Sequence, residues 1–117
     1  MSIDFLPVNS TVSDQLGEYG DDYSHTTGHY FDYYQIGNLA PGYEVNVSVS
    51  SRNFDTFLGI YNGNTGELVG TDDNSGAGTN SQFSFTPVFG DQDSYYAIVT
   101  SAGPNSTGYY NISASYT

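Results

Sequence analysis

The stretch Tyr43-Glu44-Val45-Asn46-Val47-Ser48-Val49-Ser50 alternates apolar and polar residues without a break, and this period of two most constrains the fold. Successive side chains of an extended strand point to opposite faces. Tyr43, Val45, Val47 and Val49 are therefore expected to face a core, and Glu44, Asn46, Ser48 and Ser50 to face water. Sustained helical periodicity is missing from the rest of the chain. Short apolar runs are instead broken by turn residues at 38–42, 62–66, 75–78, 90–93 and 103–105. Strands are predicted at 29–36, 43–50, 56–61, 67–71, 82–86, 95–101 and 109–115, with an eighth near 12–16. Their close spacing favours antiparallel neighbours. The run Tyr95-Tyr96-Ala97-Ile98-Val99 is apolar on both faces, which suits a central strand covered on both sides or an outer face shielded by a loop. The expected fold class is all-β, a sandwich of two antiparallel sheets with seven to eight strands.

A chain of 117 residues fits a single core, and the division expected is an N-terminal arm at 1–13 and one domain at 14–117. The polar segment 17–28, carrying Glu18, Asp21 and Asp22, is expected to be a loop. Residues 1–7 lack a basic region followed by an apolar run, so they are neither a signal peptide nor a membrane span. Any export signal would lie in a longer precursor.

Thirteen acidic residues against the single basic residue Arg52 give a formal charge of −12. Such a field repels phosphate backbones and anionic headgroups, so neither nucleic acid nor bare membrane is an expected partner. Cations, basic protein surfaces and neutral polymers stay open. The absence of cysteine removes disulfides, thiol nucleophiles and Cys-based metal sites together.

The densest oxygen cluster is Asp72-Asp73-Asn74-Ser75, followed by Gly76 and Gly78. A hard cation such as Ca2+ takes six to eight oxygens from a loop of this kind, with Asp55, or Asp21 and Asp22, supplying those that are missing. The loop is no EF-hand, because its ligands do not alternate and Phe83 stands where a bidentate Glu is needed. The competing reading is that Asp72 and Asp73 accept backbone amides and shape the turn. Asp55, opening an apolar strand, reads as structural on the same ground. His25 and His29 have the spacing of paired ligands on a helix, but Thr26-Thr27-Gly28 resists helix, and a strand would hold them about 13 Å apart.

No Gly-x-Ser-x-Gly elbow occurs, and neither histidine sits in a triad-like setting. No catalytic residue is predicted. Twelve tyrosines suggest binding instead, since an exposed Tyr stacks on sugar rings and packs on protein surfaces. Each of the pairs Tyr33-Tyr34, Tyr95-Tyr96 and Tyr109-Tyr110 must send one ring to either sheet face, so one ring of each is expected in the core.

Four landmarks occur in order: Phe31-Asp32-Tyr33-Tyr34, then Asn53-Phe54-Asp55-Thr56-Phe57-Leu58-Gly59-Ile60-Tyr61, then Thr71-Asp72-Asp73-Asn74-Ser75-Gly76 with Asn80-Ser81, then Ser94-Tyr95-Tyr96-Ala97-Ile98-Val99 with Gly108-Tyr109-Tyr110. In this they resemble the bacterial pre-peptidase C-terminal domain family, over residues 14–116. The resemblance implies a jelly-roll-like sandwich attached to a secreted prokaryotic enzyme, commonly a protease. It implies a non-catalytic accessory role in stability, solubility, secretion or attachment to a protein or polysaccharide substrate. It further implies a secreted or cell-surface location, and some relatives bind calcium. A carbohydrate-binding or adhesion module is the alternative, and the isolated domain is expected to be monomeric. The chain departs from the family pattern in its 25–29 segment and its longer 87–93 hairpin.

Overall fold

The computed structural model describes residues 3–17, 28–73, 80–101, 103 and 106–117, together with the backbone of 22–24. Ten strands occur among these residues: β1 Ile3–Pro7, β2 Ser10–Leu16, β3 Asp22–Ser24, β4 His29–Gly37, β5 Val45–Ser50, β6 Thr56–Asn62, β7 Glu67–Asp72, β8 Ser81–Phe85, β9 Tyr95–Ser101 and β10 Gly108–Tyr116. No helix among the described residues is long and apolar enough to cross a membrane. The first sheet runs β1-β4-β9-β6-β7, with β3 also pairing β4, and the second runs β2-β10-β5-β8.

All eight predicted strands are present, within one or two residues at most ends. Two more were not anticipated. Residues 1–13, read as an arm, place β1 and most of β2 in opposite sheets. β1 lies parallel to β4, with Ile3 opposite Tyr33 and Pro7 opposite Gly37, whereas every other pairing is antiparallel. The bare backbone of Gly37 receives the Phe5 ring, where a Cβ would come within 2.0 Å of it. The short third strand falls in the segment expected to be a loop, its residues 22–24 pairing with 29–31 of β4. Only β3–β4 and β6–β7 are consecutive strands paired in one sheet; the other connections cross between sheets. Close spacing in sequence therefore marks crossovers here more often than hairpins.

The alternation in β5 is realised, with Val45, Val47 and Val49 fully buried. They meet Tyr110, Ile112 and Ala114 of β10 and, from the first sheet, Tyr34, Ile36, Leu58, Ile60, Ala97 and Val99. Fully burying one aliphatic side chain of this kind stabilises by about 1.5–3 kcal/mol, so this layer holds the sheets together. Tyr43 departs from the alternation and is 67% exposed. The chain turns just before it, with Gly42 at φ +86° and the Tyr43 amide donating to the Ala40 carbonyl at 3.3 Å. The strand starts only at Val45, and the Tyr43 ring packs edge-on against Tyr116 instead.

β9 is the central strand of its sheet. Tyr95, Ala97 and Val99 face the core, while Tyr96 and Ile98 lie partly buried on the outer face, where Tyr96 stacks on Tyr61 with ring centres 5.2 Å apart. Each tyrosine pair divides as expected: Tyr34, Tyr95 and Tyr110 are buried, and Tyr33, Tyr96 and Tyr109 point outward.

Candidate functional site: an uncharged sheet face and its cleft

The outward positions of the second sheet follow from the register. Gln15 lies opposite Tyr109; Ser13 opposite Asn111, itself opposite Ser50; Thr11 aligns with Ser113, Ser48 and Gln82; and Ser115 aligns with Asn46 and Ser84. All twelve are at least partly exposed and none is charged. In a chain with 13 acidic residues, four adjacent strands present only hydroxyls, amides and one phenol. Cross-strand bonds order this surface: Ser48 with Ser113 at 2.8 Å, Ser13 Oγ donating to Asn111 Oδ1 at 2.5 Å, and Asn46 Nδ2 donating to Gln82 Oε1 at 3.4 Å. A hydroxyl has one donor and two acceptor sites, so each still has capacity for a ligand.

At one end the face runs into an open cleft of about 660 Å³ lined by Ser13, Ser50, Ser51, Arg52, Asn53, Asn80, Tyr109 and Asn111, with Asp14 and Tyr110 at its floor. The wall formed by residues 51–54 is tied down at several points. Ser51 Oγ donates to the Tyr109 carbonyl at 2.7 Å and accepts the Asn53 amide at 3.0 Å. Asn53 Oδ1 accepts the Tyr109 amide at 2.8 Å, and Asn80 Oδ1 accepts the Ser51 amide at 3.2 Å. Gly108 allows this approach: it has φ +141°, and a Cβ there would lie 2.2 Å from that of Asn53. Tyr109, 68% exposed, thus projects from a backbone held on both sides. Arg52 stands exposed on the rim.

Beneath the cleft, Asp14 Oδ2 accepts the Tyr34 hydroxyl at 2.8 Å, the Tyr34 and Tyr110 hydroxyls lie 2.5 Å apart, and Tyr110 meets Asp32 Oδ2 at 2.5 Å. Burial pushes both phenols far above their ordinary pKa. For Tyr34 the Asp14 carboxylate adds to that rise, and for Tyr110 the neighbouring Tyr34 and Asp32 do.

The residues singled out for calcium do not assemble into a site among the described residues. Asp72 ends β7, and its Oδ2 accepts the Gln82 amide of β8 at 2.8 Å, clasping the edges of the two sheets. Asp73 is exposed. Asp55 has Oδ1 buried without a hydrogen-bond partner, yet it precedes β6, three positions before Leu58, the residue opposite Asp72, or about 10 Å away in extended chain. Asn74 and Asp21 fall outside the described residues, as does His25; for Asp22 only the backbone is described, opposite Phe31. No three His, Cys, Asp or Glu converge as metal ligands among the described residues. The sequence reading treated the outward Ser, Thr, Asn and Gln of each strand only as residues facing water. The signal available was that, Glu44 apart, the outward positions of the strands near 12–16, 43–50, 82–86 and 109–115 carry no charge.

No family model and no curated protein matches the chain. Among solved structures it is similar to the pre-peptidase C-terminal domain of a collagenase from Bacillus anthracis, with a TM-score of 0.67 at 14% identity over 97% of this chain and 94% of that one. It is also similar to PliG of Aeromonas hydrophila, a periplasmic inhibitor of g-type lysozyme, at TM-score 0.56 and 12% identity over 98% and 97% of the two chains. A third is CorA, a surface-associated copper-binding protein of Methylomicrobium album BG8, at TM-score 0.58 and 12% identity over 100% and 98%. The chain has the pre-peptidase C-terminal fold.

Proposed function

We propose that this chain is a non-catalytic accessory module of a secreted or cell-surface prokaryotic enzyme, and that it holds the enzyme on a neutral, hydroxyl-rich polymer. The contact surface is the outer face of the β2-β10-β5-β8 sheet with its cleft. The observation that carries the reading is the absence of charge from all twelve outward positions of that sheet in a chain of net charge −12. An uncharged donor-and-acceptor surface matches a polysaccharide, whose hydroxyls both give and take hydrogen bonds, and it keeps the acidic remainder of the domain from opposing contact. Tyr109 supplies an apolar ring for the face of a sugar. A protein polymer is the second reading, favoured by the occurrence of this fold in a collagenase. The periplasmic and surface-associated proteins of the same architecture support an extracytoplasmic setting.

The test is retention on insoluble cellulose, chitin, starch and collagen. Retention is expected on at least one neutral polysaccharide, weakened about tenfold by Tyr109→Ala, the scale of one lost aromatic contact. Asn111→Asp puts a charge in the middle of the face without changing its shape and should weaken retention comparably. Binding to collagen alone selects the protein reading, and binding that both substitutions leave intact moves the surface elsewhere. The module has no hydrolytic activity of its own in this reading; turnover on a protease, esterase or glycosidase panel that His29→Ala abolishes would overturn that part.

A further inference from the structure

We infer that Asn62 is a latent deamidation site that the native fold keeps closed, and that its conversion to aspartate or isoaspartate frees the 86–94 loop from the β6–β7 turn. Asn62-Gly63 is the sole Asn-Gly step in the sequence. The reaction at such a step is intramolecular. The Gly63 backbone nitrogen bonds to the carbonyl carbon of the Asn62 side chain, and the bond from that carbon to Nδ2 breaks. Nδ2 leaves as ammonia, carrying the proton that the Gly63 nitrogen gave up. Water then opens the cyclic imide on one side or the other, giving aspartate or isoaspartate. Glycine in the second position favours the attack, because no Cβ shields its nitrogen.

In the folded chain both reacting groups are tied up. The Gly63 amide donates to the Ser94 carbonyl at 2.7 Å, which holds its proton and fixes the peptide plane. Asn62 is buried at the end of β6; its Oδ1 accepts the Asn64 amide at 2.9 Å, and its Nδ2 donates to Asp91 Oδ2 at 3.0 Å. Asn64 Nδ2 donates to the other oxygen of Asp91 at 2.6 Å. A carboxylate only accepts, so both amide nitrogens must face it, and the Asn62 side chain cannot swing toward Gly63 without losing that bond. Attack therefore waits for local opening, and its rate follows the population of the open state. The same bonds fasten the loop carrying Asp91 and Ser94, which joins β8 to β9, to the turn after β6. Conversion undoes this fastening. A carboxylate at position 62 stands where Nδ2 now donates, 3.0 Å from Asp91 Oδ2 in a site 5% exposed, so the bond is lost and two like charges oppose each other. Isoaspartate further lengthens the main chain by one methylene at the strand end.

The experiment incubates the intact chain at mildly alkaline pH, folded and in urea, and follows the peptide spanning Asn62 by mass spectrometry. Folded wild type should convert more than about tenfold more slowly than the chain in urea. Asp91→Ala, shown to be folded by circular dichroism, should convert about tenfold faster than folded wild type, because hydrogen bonds to a charged group no longer resist opening. Asn62→Asp reads the consequence of conversion. Its Tm should fall by about 4–12 °C, and amide hydrogen exchange should quicken at Gly63, Asp91 and Ser94. The exchanged pair Asn62→Asp with Asp91→Asn should recover most of the loss, since one amide again meets one carboxylate; a merely structural role for the asparagine would not give this rescue. Conversion of folded wild type at the rate seen in urea, or an Asp91→Ala chain no faster than wild type, overturns the closed site. An Asn62→Asp chain with unchanged melting and exchange, or no recovery in the exchanged pair, overturns the freeing of the loop.

Discussion

Leu58 and Leu68 sit on adjacent strands of the first sheet, so truncating each to alanine is a direct test of which face is core. Leu58 is fully buried on β6, with Val99 of β9 opposite it on one side and Asp72 of β7 on the other. Removing a fully buried leucine side chain costs about 3–5 kcal/mol, the transfer loss plus the cavity left behind. Leu68 is 59% exposed on β7, opposite Tyr61. Most of its surface already touches water, so Leu68→Ala should cost under about 1 kcal/mol. Unfolding entropy of about 2.1 cal/mol/K per residue gives about 0.25 kcal/mol/K for a chain of 117 residues. Leu58→Ala should therefore lower Tm by about 12–20 °C, and Leu68→Ala by less than about 4 °C. Far-UV circular dichroism melts at matched concentration measure both. Equal losses would refute the reasoning, because they would mean that the outer face of the first sheet is covered in solution or that the register of β7 is wrong.

Three further outcomes follow from the same geometry. Tyr34 and Tyr110 have pKa values raised above the unfolded value by burial, so the stability they contribute is present below pH ~10 and falls by about 1.4 kcal/mol per pH unit for each above it. A phenolate absorbance titration should show Tyr34 and Tyr110 ionising only as the fold is lost; ionisation of both in the native protein would contradict their burial. Gly70→Ala places a Cβ 2.2 Å from the Phe83 ring, where the two sheet edges meet, and should cost about 1–3 kcal/mol in urea denaturation, with most of that cost absent in a Phe83→Ala background. Calcium, if the Asp72-Asp73 turn with Asn74 takes it, acts as a stabilising ion: at about a hundred times its Kd it adds about 2.7 kcal/mol, an increase in Tm on the order of 10 °C that Asp73→Asn removes. An unchanged melt with calcium and with chelator would show that this turn takes no ion.

Strand positions were legible because they rest on local chemistry. Alternating valines define β5, turn residues delimit β6 and β7, and the paired tyrosines divide between faces by the pleat alone. β1 and β3 escaped because neither carries such a signal. Ile3–Pro7 contains a proline and pairs in parallel with residues 33–37, and Asp22–Ser24 is three residues long in a polar stretch. Tyr43 was misplaced since alternation continues in the sequence past the point where the backbone turns.

The same division runs through the candidate site. That Ser48, Asn111 or Thr11 faces outward is written in each strand's own period of two. That these residues share one surface depends on strand order, since β2, β10, β5 and β8 are far apart in sequence and are brought side by side by crossovers. The hydrogen-bonded side chains Asp14, Tyr34, Tyr110 and Asp32 likewise come from positions up to 96 apart, and they meet only because the core packs two sheets face to face. Side-chain direction along a strand is a local property of the backbone. Which directions converge is set by burial of apolar surface across the whole chain, and no local pattern records it.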